Sequence, residues 1–183
     1  MKKIIALFLM VCLLLGISAV AEETAHSDTL VVYFSCTGTT KNIAEKIAEI
    51  TDADLYEIVP AQPYTDEDLN YRDSSTRATQ EQHTPDARPE IGGEDIDLEG
   101  YTTLYLGYPI WWGDAPRIMS TFVESHDFTG ITVIPFCTSG GSGIKRSDDD
   151  LAAKAGTGIW LDGTRHSGDT SVDALKAWVD GMR

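Results

Sequence analysis

The segment 30-LVVYFSCTGTTKNIAEKIAEI-50 divides into three parts of different character. Leu30 to Phe34 is an apolar, β-branched and aromatic run, the composition of a buried strand. From about Thr40 to Ile50 the period is helical: Ile43, Ile47 and Ile50 share a face with Ala44 and Ala48, and Lys41, Glu45, Lys46 and Glu49 fall mostly opposite. Between them sits 35-SCTGTT-40, rich in hydroxyls. A strand feeding a helix start makes an anion site, because the first helical N–H groups lack intrahelical partners and the helix dipole favours negative charge. Ser35, Thr37, Thr39 and Thr40 add O–H donors, and Gly38 lets the backbone come close. The turn has neither G-x-x-x-x-G-K-[ST] nor G-x-G-x-x-G, which argues against triphosphate and pyrophosphate ligands. It suits one phosphate held by neutral donors. The plainer alternative is an ordinary polar turn that caps a helix.

Outward from this segment, strands and helices alternate. A second strand is expected over 54-DLYEIVP-60, ended by Pro60 and parallel to the first because a helix connects them. Residues 61–100 form a long polar insertion with Tyr64, Leu69 and Tyr71 as packing points and a helix over Asp73–Gln82. A third strand, 103-TLYLGYP-109, runs into the aromatic loop 110-IWWGDAPR-117, and a helix follows with Pro116 in its first turn and Asp114 as cap. A fourth strand, 131-ITVIPFCT-138, precedes the turn 139-SGGSG-143 and a helix over 145–155. A short strand over 157–161 and a helix over 169–181, burying Val172, Leu175, Trp178 and Val179, close the chain. The pattern predicts an α/β fold, a doubly wound open sheet of five parallel strands with helices on both faces. Ligands of such sheets bind beyond the carboxyl ends of the strands, and the three unusual loops, 35–40, 109–114 and 137–143, all fall there.

The first 21 residues differ in kind. Lys2 and Lys3 precede an apolar run and the small-residue site 19-AVA-21, so 1–21 reads as a signal peptide and 22–183 as one domain. Export to the periplasm or the medium follows, with no stable membrane insertion after cleavage. The chain carries a formal charge of −15, which falls to −17 when the two lysines of the peptide are removed. Such an acidic protein repels nucleic acid and suits a partner with a basic docking surface. His26, His83, His126 and His166 have no ligand spacing, so no metal site is expected, and His166 reads as part of a surface loop. Ser142 is outside any G-x-S-x-G elbow, which leaves a hydrolase without support.

Each loop brings its own chemistry. Trp111 and Trp112 are adjacent after Pro109 and Ile110, so both cannot face one core direction, and one is expected on the rim as a platform for a flat ring. Gly113 gives this loop conformational freedom. The third loop, with Thr138, Ser139, Gly140 and Gly141, offers backbone N–H groups that can approach a ring edge. A monophosphate site, a ring platform and a close backbone edge together describe a site for flavin mononucleotide (FMN).

On these residues the chain resembles the flavodoxin-like family, through 31-VVYFSCTGTTKNIAEKIA-48, 104-LYLGYPIWWGDAPR-117 and 133-VIPFCTSGGSGI-144, and specifically exported bacterial members with a long insertion after the second strand. The resemblance implies strand order 2-1-3-4-5 and noncovalent FMN. It also implies a phosphate loop of Ser35, Thr37, Gly38, Thr39 and Thr40 with Asn42 in the first helical turn. Pro109, Ile110, Trp111, Trp112 and Gly113 would flank the flavin, and Thr138, Ser139, Gly140 and Gly141 would face its edge. Many flavodoxins cover the outer flavin face with a third-loop tyrosine, and none lies between Cys137 and Ile144. The implied function is a monomeric carrier of low-potential electrons between redox proteins. The alternative is an FMN-dependent reductase of quinones using a nicotinamide donor; a flavin-binding module without turnover is a third class. In that strand order one strand separates Cys36 from Cys137, roughly 9–10 Å apart by strand spacing, so two free thiols are expected.

Overall fold

The computed structural model describes residues 27–144 and 146–182. The expected signal peptide, His26 and Lys145 lie outside the described residues. The main sheet contains β1 (Thr29–Tyr33), β2 (Asp54–Glu57), β5 (Thr103–Pro109), β6 (Thr132–Thr138), β7 (Ile159–Trp160) and β8 (Thr164–His166). Its order is β2-β1-β5-β6-β7, with β8 also paired to β6, and every pairing is parallel. This is the expected five-position order with the last position shared by two short strands.

Successive side chains of β1 explain the layers. Leu30, Val32 and Phe34 enter one core with Leu104, Leu106 and Val133, beneath Ile118, Met119, Phe122 and Leu151. Those four residues come from helices α3 (Arg117–Ser125) and α4 (Ser147–Ala155). Val31 and Tyr33 enter the opposite core with Ile43, Ile47, Leu175 and Val179 of α1 (Thr39–Thr51) and α5 (Val172–Met182). Val172 was expected inside but is half exposed at the start of α5. No helix among the described residues is long and apolar enough to cross a membrane.

Three departures have local causes. The strand expected over 54–60 breaks at Ile58, whose N–H donates to Tyr33 O at 2.8 Å while its side chain turns into the core. Beyond it, β3 (Val59–Pro60) pairs antiparallel with β4 (Ile91–Gly92) in a second, small sheet that ties the two ends of the insertion together. The fifth strand is split opposite Pro135. The amide of Leu161 reaches Val133 O at 2.9 Å, but Pro135 has no N–H to continue the ladder, and pairing resumes only at Phe136 with Thr164. At α3, Pro116 is the N-cap residue rather than the first helical one; Asp114 instead accepts from the neighbouring Ala115 N–H at 2.8 Å.

In the middle of β5, Gly107 leaves room for a ring. A Cβ built there would stand 2.2 Å from Cζ of Phe136 on the adjacent strand. Phe136 is fully buried and has nowhere to retreat. Gly107→Ala is therefore expected to destabilise the fold by about 1–3 kcal/mol, the usual cost of overpacking a core. Urea unfolding followed by tryptophan fluorescence measures it, and an unchanged midpoint would contradict this packing.

Candidate functional site

The three loops meet as anticipated at the carboxyl edge of the sheet. The first carries the chain from β1 to α1 through Gly38, whose φ of 81° lies in the left-handed region that glycine tolerates. The Gly38 N–H donates to Ser35 Oγ at 3.1 Å and its carbonyl accepts the Asn42 N–H at 2.9 Å. No side chain caps α1, so its first turn presents N–H groups outward. The hydroxyls of Thr37 and Thr39 are exposed and 3.4 Å apart. Thr40 has a different part: its hydroxyl is buried and bonds that of Thr138 at 2.8 Å, clamping the start of α1 to the end of β6. Asn42 donates through Nδ2 to Gly168 O at 3.1 Å, which ties α1 to the segment before α5.

Among the described residues no lysine or arginine bonds to this turn. Lys41 pairs with Glu57 at 3.5 Å, and the charge it brings is already engaged. The donors are neutral hydroxyls and amides, as the composition of 35-SCTGTT-40 implies.

The second loop is anchored by Ile110 N–H donating to Thr138 O at 2.9 Å. It then makes a tight turn in which Trp111 and Asp114 exchange backbone hydrogen bonds of 2.9 and 3.0 Å. Both central residues have positive φ, 47° at Trp112 and 82° at Gly113, the requirement of a type I′ turn. A tryptophan there is uncommon, and such outliers gather at functional sites. The turn sends the two indoles apart. Trp111 packs edge-on against Phe34 and Tyr64 at centroid distances of 5.6 and 5.3 Å. Trp112 stays 40% exposed beside His83.

A cleft of about 370 Å³ opens between these loops, within the range of small-molecule sites. Of the residues singled out from the sequence, Ser35, Thr37, Thr39, Thr40, Pro109, Ile110, Trp111, Trp112 and Thr138 line it. Gly38, Asn42 and Gly113 are not among the lining residues. Ser139, Gly140 and Gly141 do not line it either; the Ser139 hydroxyl turns back to the Ser142 carbonyl and accepts the Gly141 N–H at 3.3 Å.

Four further lining residues were not anticipated as part of the site: Cys36, Leu69, Tyr71 and Ala78. The last three come from the insertion, and Ala78 lies on α2 (Arg77–His83). The insertion is locked to the second loop. Tyr64 donates to Glu81 at 2.5 Å, and Arg77 pairs with Glu81 at 2.7 Å while its guanidinium lies 4.2 Å over the Tyr64 ring. Gln82 donates to Ala115 O at 3.1 Å and Arg117 to Gln82 O at 2.8 Å. Burial pushes the Tyr64 hydroxyl well above its ordinary range, and Glu81 adds to the shift. Burial likewise pushes the Cys36 thiol up to about 12. It stays a neutral thiol at physiological pH, a small apolar lining group rather than a nucleophile. Cys36 and Cys137 are both free, as expected.

His166 corrects the reading of a surface loop. It ends β8 in register with Thr138, is 7% exposed, and packs against Trp178 at 4.6 Å between centroids. Burial lowers its pKa, so it is neutral at physiological pH. No cluster of potential metal ligands occurs among the described residues.

A family model described as flavodoxin matches residues 28–182. No curated protein matches. Among solved structures, a candidate flavoprotein of Bacteroides uniformis ATCC 8492 is 41% identical, with a TM-score of 0.80 over 85% of this chain and 99% of that one. A candidate flavoprotein of Bacteroides eggerthii DSM 20697 is 42% identical, with a TM-score of 0.78 over 84% and 96%. A flavoprotein of Lactobacillus acidophilus NCFM, solved in complex with FMN, is 27% identical, with a TM-score of 0.61 over 80% and 97%. The strand order, the hydroxyl turn at the start of α1 and the family match along almost the whole described chain agree: the protein belongs to the flavodoxin family.

Proposed function

We propose that this protein binds one FMN in the cleft and serves as an electron-transfer protein, passing low-potential electrons between redox partners. The observation that carries the reading is the continuity of the cleft from the uncapped start of α1, with the exposed Thr37 and Thr39 hydroxyls, to the aromatic wall of Trp111 and Trp112. A terminal phosphate fits the first end and a flat ring the second. The Lactobacillus relative, solved with FMN, supports the same ligand. When bound, the flavin supplies the redox chemistry, and the chain supplies position and field.

The field has a direction. Thr37, Thr39 and the α1 amides would hold the phosphate with neutral dipoles, in a chain whose net formal charge is −15. Trp111 excludes water from one side of the cleft together with Phe34 and Tyr64. Placing an added electron in such surroundings is penalised by repulsion and poor solvation, which supports a low potential. The same charge favours a redox protein with a basic docking surface and disfavours nucleic acid. Export behind the N-terminal segment 1–21, action in the periplasm or medium and a monomeric state complete the proposal.

The first test is ligand choice. Apoprotein titrated with FMN, FAD and riboflavin is expected to bind FMN one to one, and FAD at least tenfold more weakly because its pyrophosphate must extend where the turn closes on a terminal group. Equal affinity for FMN and FAD would contradict the phosphate end of the site.

A further inference from the structure

Resting on the FMN reading, we propose that Tyr71, from the insertion, closes over the flavin ring and takes the covering position that the third loop leaves unfilled. The third loop has no side chain that could do so. Residues 139–143 are serines and glycines, they lie outside the cleft lining, and the Ser139 hydroxyl is spent on its own turn. The insertion instead sends Leu69, Tyr71 and Ala78 into the lining.

Tyr71 is 68% exposed, the most exposed of the large apolar and aromatic side chains among the described residues. The Arg72 guanidinium lies 5.8 Å from its ring centroid. The backbone beneath it is held firmly. Leu69 N–H donates to Thr65 O, Asp73 N–H to Asn70 O and Ala78 N–H to Asp68 O, at 3.2, 3.0 and 3.3 Å. The Thr65 amide and hydroxyl both bond Asp68, and the Thr76 hydroxyl reaches Asp73 O. Through α2 this segment is pinned to Ala115 and to Trp112. A fixed backbone that carries an unpacked aromatic at the edge of an apolar cleft loses little entropy when a ring fills the space beside it. Trp112, also exposed and also in the lining, presents a second ring from the other loop. The cleft lining thus holds two exposed aromatics, one from each segment, and offset stacking on a flat heterocycle is an arrangement such rings favour.

Contact with the ring, not the phosphate, separates this assignment from the rest of the site. Tyr71→Ala should weaken FMN and riboflavin by the same factor, about tenfold, whereas Tyr71→Phe should stay within about twofold of the parent for both. Flavin fluorescence of the bound ligand should become several-fold more accessible to acrylamide, a neutral quencher that the acidic surface does not repel. The experiment compares the parent chain, Tyr71→Ala and Tyr71→Phe by titration and by quenching, with melting temperatures as the check on folding. Equal losses for both ligands together with greater quenching in Tyr71→Ala support the assignment. Parent-like affinity and quenching in Tyr71→Ala, with the parent binding FMN normally, would overturn it alone. Failure of the parent itself to bind FMN would overturn the FMN reading and this inference with it.

Discussion

Thr37→Val together with Thr39→Val should weaken FMN binding about a hundredfold and change riboflavin binding by less than about threefold. Both side chains are exposed, and their hydroxyls lie 3.4 Å apart beside the uncapped first turn of α1. Valine keeps the shape of threonine and removes only the O–H. A hydrogen bond to a charged group contributes about 1.5–3 kcal/mol, so losing two costs about 3 kcal/mol at the low end, a hundredfold in affinity. Riboflavin has no phosphate and loses nothing there. Thr40 is the wrong residue for this test, although it belongs to the same turn. Its hydroxyl is buried and bonded to Thr138, so Thr40→Val would strand a buried oxygen and loosen the link between α1 and β6. At the exposed positions the fold should change by less than about 0.5 kcal/mol. Parallel titrations of the double variant with the two ligands read the difference, and equal losses would move the phosphate away from this turn.

How much of this was legible in the sequence depends on which residues carried a period. The β1 run and the spacing of Ile43 and Ile47 name their own secondary structure, and both residues are fully buried. The doubled tryptophans were readable as one inner and one outer ring because adjacent side chains diverge, and the turn at Trp112 and Gly113 realises that. The contribution of the insertion was not readable. Leu69 and Tyr71 lie in consecutive hydrogen-bonded turns with no repeat, and their place beside the cleft is set by long-range contacts such as Gln82 to Ala115 and Tyr64 to Trp111. His166 was hidden for a similar reason, since a three-residue strand at a sheet edge has too few side chains to show alternation. The split of the last strand did have a sequence signal. Pro135 inside an otherwise central strand removes one donor, and the neighbour divides opposite it.

Carrier and reductase are separated by the nicotinamide. NADH or NADPH alone should reduce the flavin in this protein slowly, with a rate that rises linearly with concentration rather than saturating. Both are anions, and the chain carries a formal charge of −15. Among the described residues, Arg117 pairs with Asp114 at 3.3 Å and donates to Gln82 O, Arg77 pairs with Glu81, and Lys41 pairs with Glu57. Arg72 stands beside Tyr71 but is surrounded in sequence by Asp66, Glu67, Asp68 and Asp73, which leaves the rim negative. The sequence offers a second dinucleotide neither G-x-x-x-x-G-K-[ST] nor G-x-G-x-x-G as a pyrophosphate cradle. The competing reductase reading needs an open ring face and a nicotinamide seat beside it. Anaerobic stopped-flow mixing of the FMN-loaded protein with each nicotinamide, followed by a quinone, decides between them. The account predicts slow, unsaturating bleaching and no steady quinone turnover, alongside rapid reduction by dithionite; fast, saturable bleaching with sustained quinone turnover would contradict it.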